Sequence, residues 1–211
     1  MEIIAHRGVW QQPHEKNSIK AFEEALSSGF GIETDIRDSN QDLVISHDIP
    51  DEHAATFSQF LKLVNEINSQ VTLALNIKAD GLEKKLQEYV SLQKIPHFYF
   101  DMSIPDTLSY VRENLSYYTR FSDIEETPAL YSEATGVWLD SFYSNKLNEK
   151  MLLEFLQDNK LVALVSPELH GFEHSDYWTT LKTFINHNSN FKAKIKLCTD
   201  HPHEAKRFFC E

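Results

Sequence analysis

The chain has 211 residues, of which 41% are apolar and 25% are charged, a composition typical of a globular protein with a sizeable core. Its formal net charge of −12 argues against nucleic acid or an anionic membrane surface as a partner, since either requires a basic face. There is no apolar run long enough to span a membrane, no signal-peptide pattern at the N-terminus, and no CxxC spacing between Cys198 and Cys210. We therefore expect a cytoplasmic protein with reduced cysteines and no integral membrane association.

Short apolar segments alternate with amphipathic segments along the whole chain, and no linker or low-complexity stretch interrupts them. The early strands are predicted at EIIAH (2–6), GIETDIR (31–37) and VTLALNIK (71–78), with a brief extra strand at LVISH (43–47). The later strands are predicted at FYFDMS (98–103), YYTRFS (117–122), GVWLDSF (136–142), LVALVSPE (161–168) and KIKLCTD (194–200).

Helices are predicted between these strands from apolar residues at helical spacing. The stripes are Ile19, Phe22 and Leu26, stopped by Gly29; Phe57, Leu61, Val64 and Ile67; Leu147, Met151 and Phe155; and Trp178, Leu181 and Ile185. Asp80 with Glu83 predicts a capping box ahead of Leu82, Leu86 and Tyr89, and PALYSEA (128–134) predicts one further short helix.

Eight strand–helix repeats are compatible with an open doubly wound sheet or with a closed (β/α)₈ barrel. The count of eight, without a second domain, favours a single α/β (β/α)₈ TIM barrel over residues 1–211, with short loops. The carboxyl ends of barrel strands line the active site of that fold. Seven of the eight predicted strands end in polar residues, which solvation alone explains at any single strand but less easily at seven.

Alternation along two strands places polar side chains together. In GIETDIR, Glu33 and Asp35 share one face, and two carboxylates two residues apart can converge on one hard cation. In VTLALNIK, Asn76 and Lys78 lie opposite the apolar face. Lys78 can serve as a salt-bridge partner of Glu33 or Asp35, as a phosphate-binding cation, or as both.

The strand end His6-Arg7-Gly8 combines a proton-transfer group, an oxyanion-binding group and a residue that permits close backbone approach. His47 follows a second apolar strand and precedes Asp48. Each histidine taken alone is compatible with a structural role at a strand end. Together they can supply an acid–base pair.

The set HRG…NS…AF..A…G…IETD…HD, over residues 5–48, resembles the glycerophosphodiester phosphodiesterase family, whose usual pattern is HRG…ENT…AF..A…G…ExD…HD. The resemblance implies a (β/α)₈ barrel that hydrolyses phosphodiesters with a divalent cation, Mg²⁺ or Ca²⁺, and two histidines. Carried over by position, the catalytic histidines are His6 and His47, the phosphate-binding arginine is Arg7, two acidic metal ligands are Glu33 and Asp35, and the lysine of the ExK pattern is Lys78.

The chain departs from the family pattern at three places. Asn76 stands where the family has its third acidic metal ligand, and an amide oxygen can bind the cation but supplies no charge. Lys16 stands where the family has the Glu of ENT, ahead of Asn17 and Ser18. The family's sizeable insertion after the HD motif is reduced here to about ten residues, which predicts an open substrate pocket.

Three hypotheses follow for the function. The leading one is a metal-dependent hydrolase of a small-molecule phosphodiester, with Glu33, Asp35 and Asn76 on the cation, Arg7 and Lys78 on the phosphate, and His47 as the acid. The alternative is a non-catalytic or weakly active barrel that binds a phosphorylated ligand. The third is a barrel lyase or isomerase in which Lys78 forms a Schiff base, which the neighbouring carboxylates oppose.

Overall fold

The computed structural model describes residues 1–210, without the side chain of Cys210; Glu211 lies outside the described residues, as does the predicted thiol state of Cys210. Nine strands occur in the described part: β1 (Glu2–His6), β2 (Gly31–Ser39), β3 (Asp42–Ile45), β4 (Leu73–Ile77), β5 (His97–Phe100), β6 (Tyr118–Phe121), β7 (Gly136–Leu139), β8 (Leu161–Val165) and β9 (Ile195–Thr199). Their order in the sheet is β5-β4-β2-β1-β9-β8-β7-β6, and β3 pairs antiparallel with β2 outside this path.

The helices between the strands are α1 (Ile19–Ser27), α2 (Phe57–Ile67), α3 (Glu83–Gln87), α4 (Ile104–Arg112), α5 (Glu149–Gln157), α6 (Ser175–His187) and α7 (Pro202–Cys210). The eight parallel strands with flanking helices confirm the predicted α/β barrel class. Among the described helices, none has both the length and the apolar character needed to cross a bilayer.

By packing, the chain falls into two compact units, residues 4–117 and residues 1–3 with the chain from Tyr118 onward. That the whole chain is a single domain stays a prediction. In the first unit, α1 and α2 pack through Phe22 and Phe60, whose ring centroids are 4.7 Å apart. Side-chain oxygens cap both helices, since Ser18 accepts from the amide of Ala21 and Thr56 accepts from that of Gln59.

In the second unit, Trp178 on α6 is fully buried, and its indole N–H donates to the hydroxyl of Ser166 over 2.8 Å. The polar end predicted for β7 is present, because the Oδ1 atom of Asp140 lies 2.7 Å from Nε2 of His170. This contact raises the pKa of His170 above its ordinary value.

Two helix predictions are wrong in detail. The predicted capping box at Asp80 does not form, since α3 begins at Glu83 without a side-chain cap and Asp80 instead accepts from the hydroxyl of Ser103 over 2.9 Å. The PALYSEA segment forms turns, because Leu130 adopts a left-handed backbone with φ of 51° that a continuous helix does not allow.

Candidate functional site

The sheet register of the first unit brings the predicted site residues onto neighbouring strands. Glu33 on β2 pairs with His6 on β1, and Asp35 on β2 pairs with Asn76 on β4. Glu33 and Asp35 are 1% and 0% exposed, and Asn76 is 7% exposed. Two carboxylates are therefore buried side by side with one amide, an arrangement that demands compensating cations or donors.

Asp35 is the centre of the charge network at this site. Its Oδ2 atom lies 2.9 Å from Nε of Arg7 as an ion pair whose N–H is not aligned for a hydrogen bond. The same oxygen accepts a 2.8 Å hydrogen bond from Nδ2 of Asn17. Its Oδ1 atom lies 3.3 Å from Nζ of Lys78, so the predicted ion pair of Lys78 forms with Asp35.

Backbone geometry holds Arg7 against β2. Arg7 and Gly8 have φ angles of 58° and 88°, which turn the chain sharply at the end of β1. The amide of Arg7 donates to the carbonyl of Glu33 over 2.9 Å, and a Cβ on Gly8 would lie 2.7 Å from the carbonyl carbon of Ala21. Glycine is thus required here by both close approach and conformation.

His6 and Glu33 form the second contact pair of the site. Nε2 of His6 lies 3.8 Å from Oε2 of Glu33, and the indole of Trp10 donates to the His6 carbonyl over 3.1 Å. Burial raises the pKa of Glu33 to about 8; the neighbouring Asp35 carboxylate raises it further, whereas Arg7 and Lys78 lower it. Glu33 therefore holds a proton at neutral pH when no cation is bound.

His47 lies beside the same strand but in a more open environment. The amide of Ser46 donates to the carbonyl of Asp35 over 3.1 Å, which places His47 one residue from that contact. Nδ1 of His47 is 2.9 Å from the carboxylate of Asp48, and the His47 side chain is 46% exposed. That the two histidines face one another across a phosphate stays a prediction.

The fit of a divalent cation can be tested on the oxygens that the site leaves unsatisfied. Oε2 of Glu33, Oδ1 of Asp35 and Oδ1 of Asn76 are buried and have no hydrogen-bond partner in the described chain. Buried acceptors are rarely left so, and three oxygen atoms are the ligand type that Mg²⁺ and Ca²⁺ take. Among the described residues, no group of three His, Cys, Asp or Glu is arranged for a metal, and the third unsatisfied oxygen here belongs to the Asn76 amide. The residues fit the implied cation.

Sequence reasoning missed the role of Asn17 and the contact of Trp10. Asn17 lies in the NS motif, yet its bond to Asp35 joins residues 18 positions apart. Only its place in the motif could have drawn attention to it.

No family model and no curated protein matches this sequence. Solved structures do. A glycerophosphodiester phosphodiesterase from Agrobacterium tumefaciens str. C58 is similar over 100% of both chains, with a TM-score of 0.68 and 13% identity. One from Parabacteroides distasonis ATCC 8503 is similar over 99% of this chain and 96% of its own, with a TM-score of 0.64 and 15% identity. A Ca²⁺-dependent phosphatidylinositol-specific phospholipase C from Streptomyces antibioticus is similar over 99% and 95%, with a TM-score of 0.58 and 9% identity.

The fold is that of these phosphodiesterases. The coverage is complete or nearly so for all three, so the similarity includes every strand of the sheet. It agrees with the family resemblance read from residues 5–48, and at such low identity it concerns the fold alone.

Proposed function

We propose that this chain is a metal-dependent phosphodiester hydrolase of the glycerophosphodiester phosphodiesterase type. One observation supports the proposal most strongly: Glu33, Asp35 and Asn76 each have a buried oxygen without a hydrogen-bond partner, and Arg7 and Lys78 form ion pairs with the Asp35 carboxylate. Such a set combines ligands for a hard cation with groups that attract a phosphate anion. The three similar folds support it at the level of architecture.

Each side chain has a role in this proposal. Glu33, Asp35 and Asn76 hold the cation, which when bound polarises a phosphate oxygen and acidifies the attacking hydroxyl. Arg7 and Lys78 offset charge on the phosphoryl oxygens. One histidine removes the proton of the attacking hydroxyl, from water or from the substrate itself, and the other, which we assign as His47, protonates the leaving alkoxide.

Glu33 must release its proton before it can bind a cation. That proton leaves to solvent, because His6, whose Nε2 lies 3.8 Å from the Glu33 carboxyl, has to stay unprotonated to act as the base. Two charged ligands and one neutral amide should bind the cation more weakly than three carboxylates would. Mg²⁺ and Ca²⁺ are both candidates, and the substrate is a small-molecule phosphodiester, with lipid metabolism in the cytoplasm as the expected setting.

A panel of phosphodiesters tests the proposal. Glycerophosphocholine, glycerophosphoethanolamine, glycerophosphoglycerol and glycerophosphoinositol are incubated with the protein, with and without Mg²⁺ or Ca²⁺, and alcohol release is measured. We expect cation-dependent release from at least one diester. His6→Ala is the matched control, because a contaminating hydrolase would survive that substitution. The absence of release from all diesters with both cations would contradict the proposal.

The neutral Asn76 and the protonated Glu33 favour one alternative, a weakly active barrel that binds a phosphorylated ligand through Arg7 and Lys78. It predicts binding of a phosphodiester without cation and without turnover. The Schiff-base hypothesis receives no support, since the Lys78 ammonium is paired with Asp35 and a paired ammonium has no lone pair for attack on a carbonyl.

A further inference from the structure

Asn17 makes three hydrogen bonds that tie the segment before α1 to the site. Its backbone amide donates to the carbonyl of Arg7 over 3.0 Å. Its Nδ2 donates to Oδ2 of Asp35 over 2.8 Å, and its Oδ1 accepts from the hydroxyl of Thr34 over 2.9 Å. Asn17 therefore connects Asp35 and its neighbour Thr34 on β2, through its side chain, to the carbonyl of Arg7, through its backbone amide.

The Asp35 contact sets which way the Asn17 amide points, and the Thr34 hydroxyl bonds the amide oxygen in that orientation. A threonine hydroxyl can donate or accept, but the carboxylate of Asp35 can only accept, so Nδ2 must face Asp35 and Oδ1 must face Thr34. Asn17 also has a φ of 60°, a left-handed conformation that asparagine tolerates better than most residues. Thr34 is fully buried, so solvent does not compete for its hydroxyl.

The Asn17 contact makes the two oxygens of Asp35 differ from one another. Oδ2 is occupied by Asn17 and faces Arg7, whereas Oδ1 accepts no hydrogen bond, as is also true of oxygens on Glu33 and Asn76, and has the Lys78 ammonium 3.3 Å away as an ion pair. A carboxylate held through one oxygen cannot rotate freely, so the other oxygen keeps a fixed direction. Partners of this kind orient metal ligands in proteins and set their affinity.

We propose that Asn17, oriented by Thr34, is a positioning residue that fixes Asp35 for cation binding. The inference rests on the proposed function, because it assigns Asn17 to the same site. Thr34 contacts Asn17, and Asn17 contacts Asp35. In this inference, Thr34 influences cation binding only through Asn17.

Cation affinity measured by calorimetry tests the inference without any substrate. Asn17→Gly keeps the left-handed backbone accessible and removes the amide, and Thr34→Val removes the hydroxyl while keeping the branched shape. We expect Asn17→Gly to weaken Mg²⁺ or Ca²⁺ binding about 10- to 100-fold, the range for residues that orient metal ligands. Thr34→Val should weaken it in the same direction but less.

The double variant separates positioning from a general loss of structure. If Thr34 acts only through Asn17, the double variant should bind the cation no more weakly than Asn17→Gly alone, whereas independent effects would add. Asn65→Ala and Thr119→Val are matched controls, since each removes a side-chain hydrogen bond to a backbone carbonyl, of Leu61 and Ala129, outside the site. Both should bind the cation as the unmodified chain does.

The outcomes distinguish this inference from the proposed function. An unmodified chain that binds neither cation refutes both. An unmodified chain that binds, with Asn17→Gly within twofold of it, refutes the positioning role alone. An additive double variant also overturns it, because Thr34 would then act by another route. Should Asn17→Gly fail to fold, unchanged affinity in Thr34→Val still refutes the inference.

Discussion

Between about pH 6 and pH 8, the cation-free protein should lose roughly 2 kcal/mol of folding stability through a single side chain, Glu33. Burial and the neighbouring Asp35 raise the pKa of Glu33 from 4.5 to about 8 in the folded chain. The folded state therefore keeps a proton that the unfolded state has already released over this interval. When the folded state binds more protons, stability falls as the pH rises.

The size of the effect follows from the interval between the two pKa values. Each pH unit between them costs up to about 1.4 kcal/mol, and the slope levels off as the pH approaches the folded-state value near 8. Below about pH 4.5 the carboxyl is protonated in both states, so the contribution of Glu33 to stability is fully present there and no longer changes with pH. Over the upper two pH units, from about pH 6 to pH 8, the loss of folding stability is about 2 kcal/mol.

Urea unfolding at several pH values, in a chelator, measures this loss by comparing the unmodified chain with Glu33→Gln. The glutamine is nearly isosteric and does not titrate, so the difference between the two proteins isolates Glu33 from the other titrating groups. A saturating divalent cation should reverse much of the loss at pH 8, because it binds the carboxylate form. Parallel stability profiles for the two proteins would refute the reasoning.

The remaining predictions concern the cation, the turn and the histidines. Asn76→Glu should raise the affinity for the cation about tenfold in calorimetric titration, because it adds a charged ligand. Asp35→Ala is the control and should abolish binding. Unchanged affinity in Asn76→Glu would mean that the new carboxylate pairs with Lys78 instead. Gly8→Ala should lower the free energy of unfolding in urea by at least about 2 kcal/mol, because its Cβ meets the Ala21 backbone. Gly29→Ala has equal backbone strain but open space around its Cβ, and should lower it less. Equal losses in the two variants would contradict the steric argument. His6→Ala and His47→Ala should each lower kcat about 10²- to 10⁴-fold on the best substrate while the urea midpoint stays unchanged; a variant with near-normal turnover removes that histidine from the acid–base pair.

The parts of the fold that the sequence predicts correctly are those set by backbone periodicity. Strand β2 alternates with period two, so Glu33 and Asp35 had to share a face once the strand was recognised. The bounds of α2 agree with the stripe from Phe57 to Ile67 because that stripe is its buried face, although Ile67 at its end is 38% exposed.

Helix α4 shows where the same reasoning fails. Its apolar residues Ile104 and Leu108 are 58% and 45% exposed, whereas the face toward the core carries Thr107 and Tyr110. Hydrophobic periodicity therefore indicates no clear helix there, and tertiary packing decides the structure. Helix α7 was likewise not predicted.

The candidate site likewise has one part that the sequence predicts and one part that it does not. Positions within β1, β2 and β4 follow from register, but the bond from Asn17 to Asp35 and the raised pKa of Glu33 depend on burial and on contacts between distant residues. No local pattern reports how deeply a carboxyl is buried. The protonation state of the site becomes visible only in three dimensions.

The two functional parts of the proposed site differ in how firmly the structure holds them. Asp35 is fully buried and is held by Arg7 and Asn17, so the groups proposed to bind cation and phosphate are in place before substrate arrives. His47 is 46% exposed, its partner Asp48 is 91% exposed, and only residues 49–56 separate this strand end from α2. If His47 protonates the leaving alcohol as proposed, that alcohol meets solvent rather than a closed pocket wall, and we expect selectivity for the phosphate and the cation with little discrimination among headgroups.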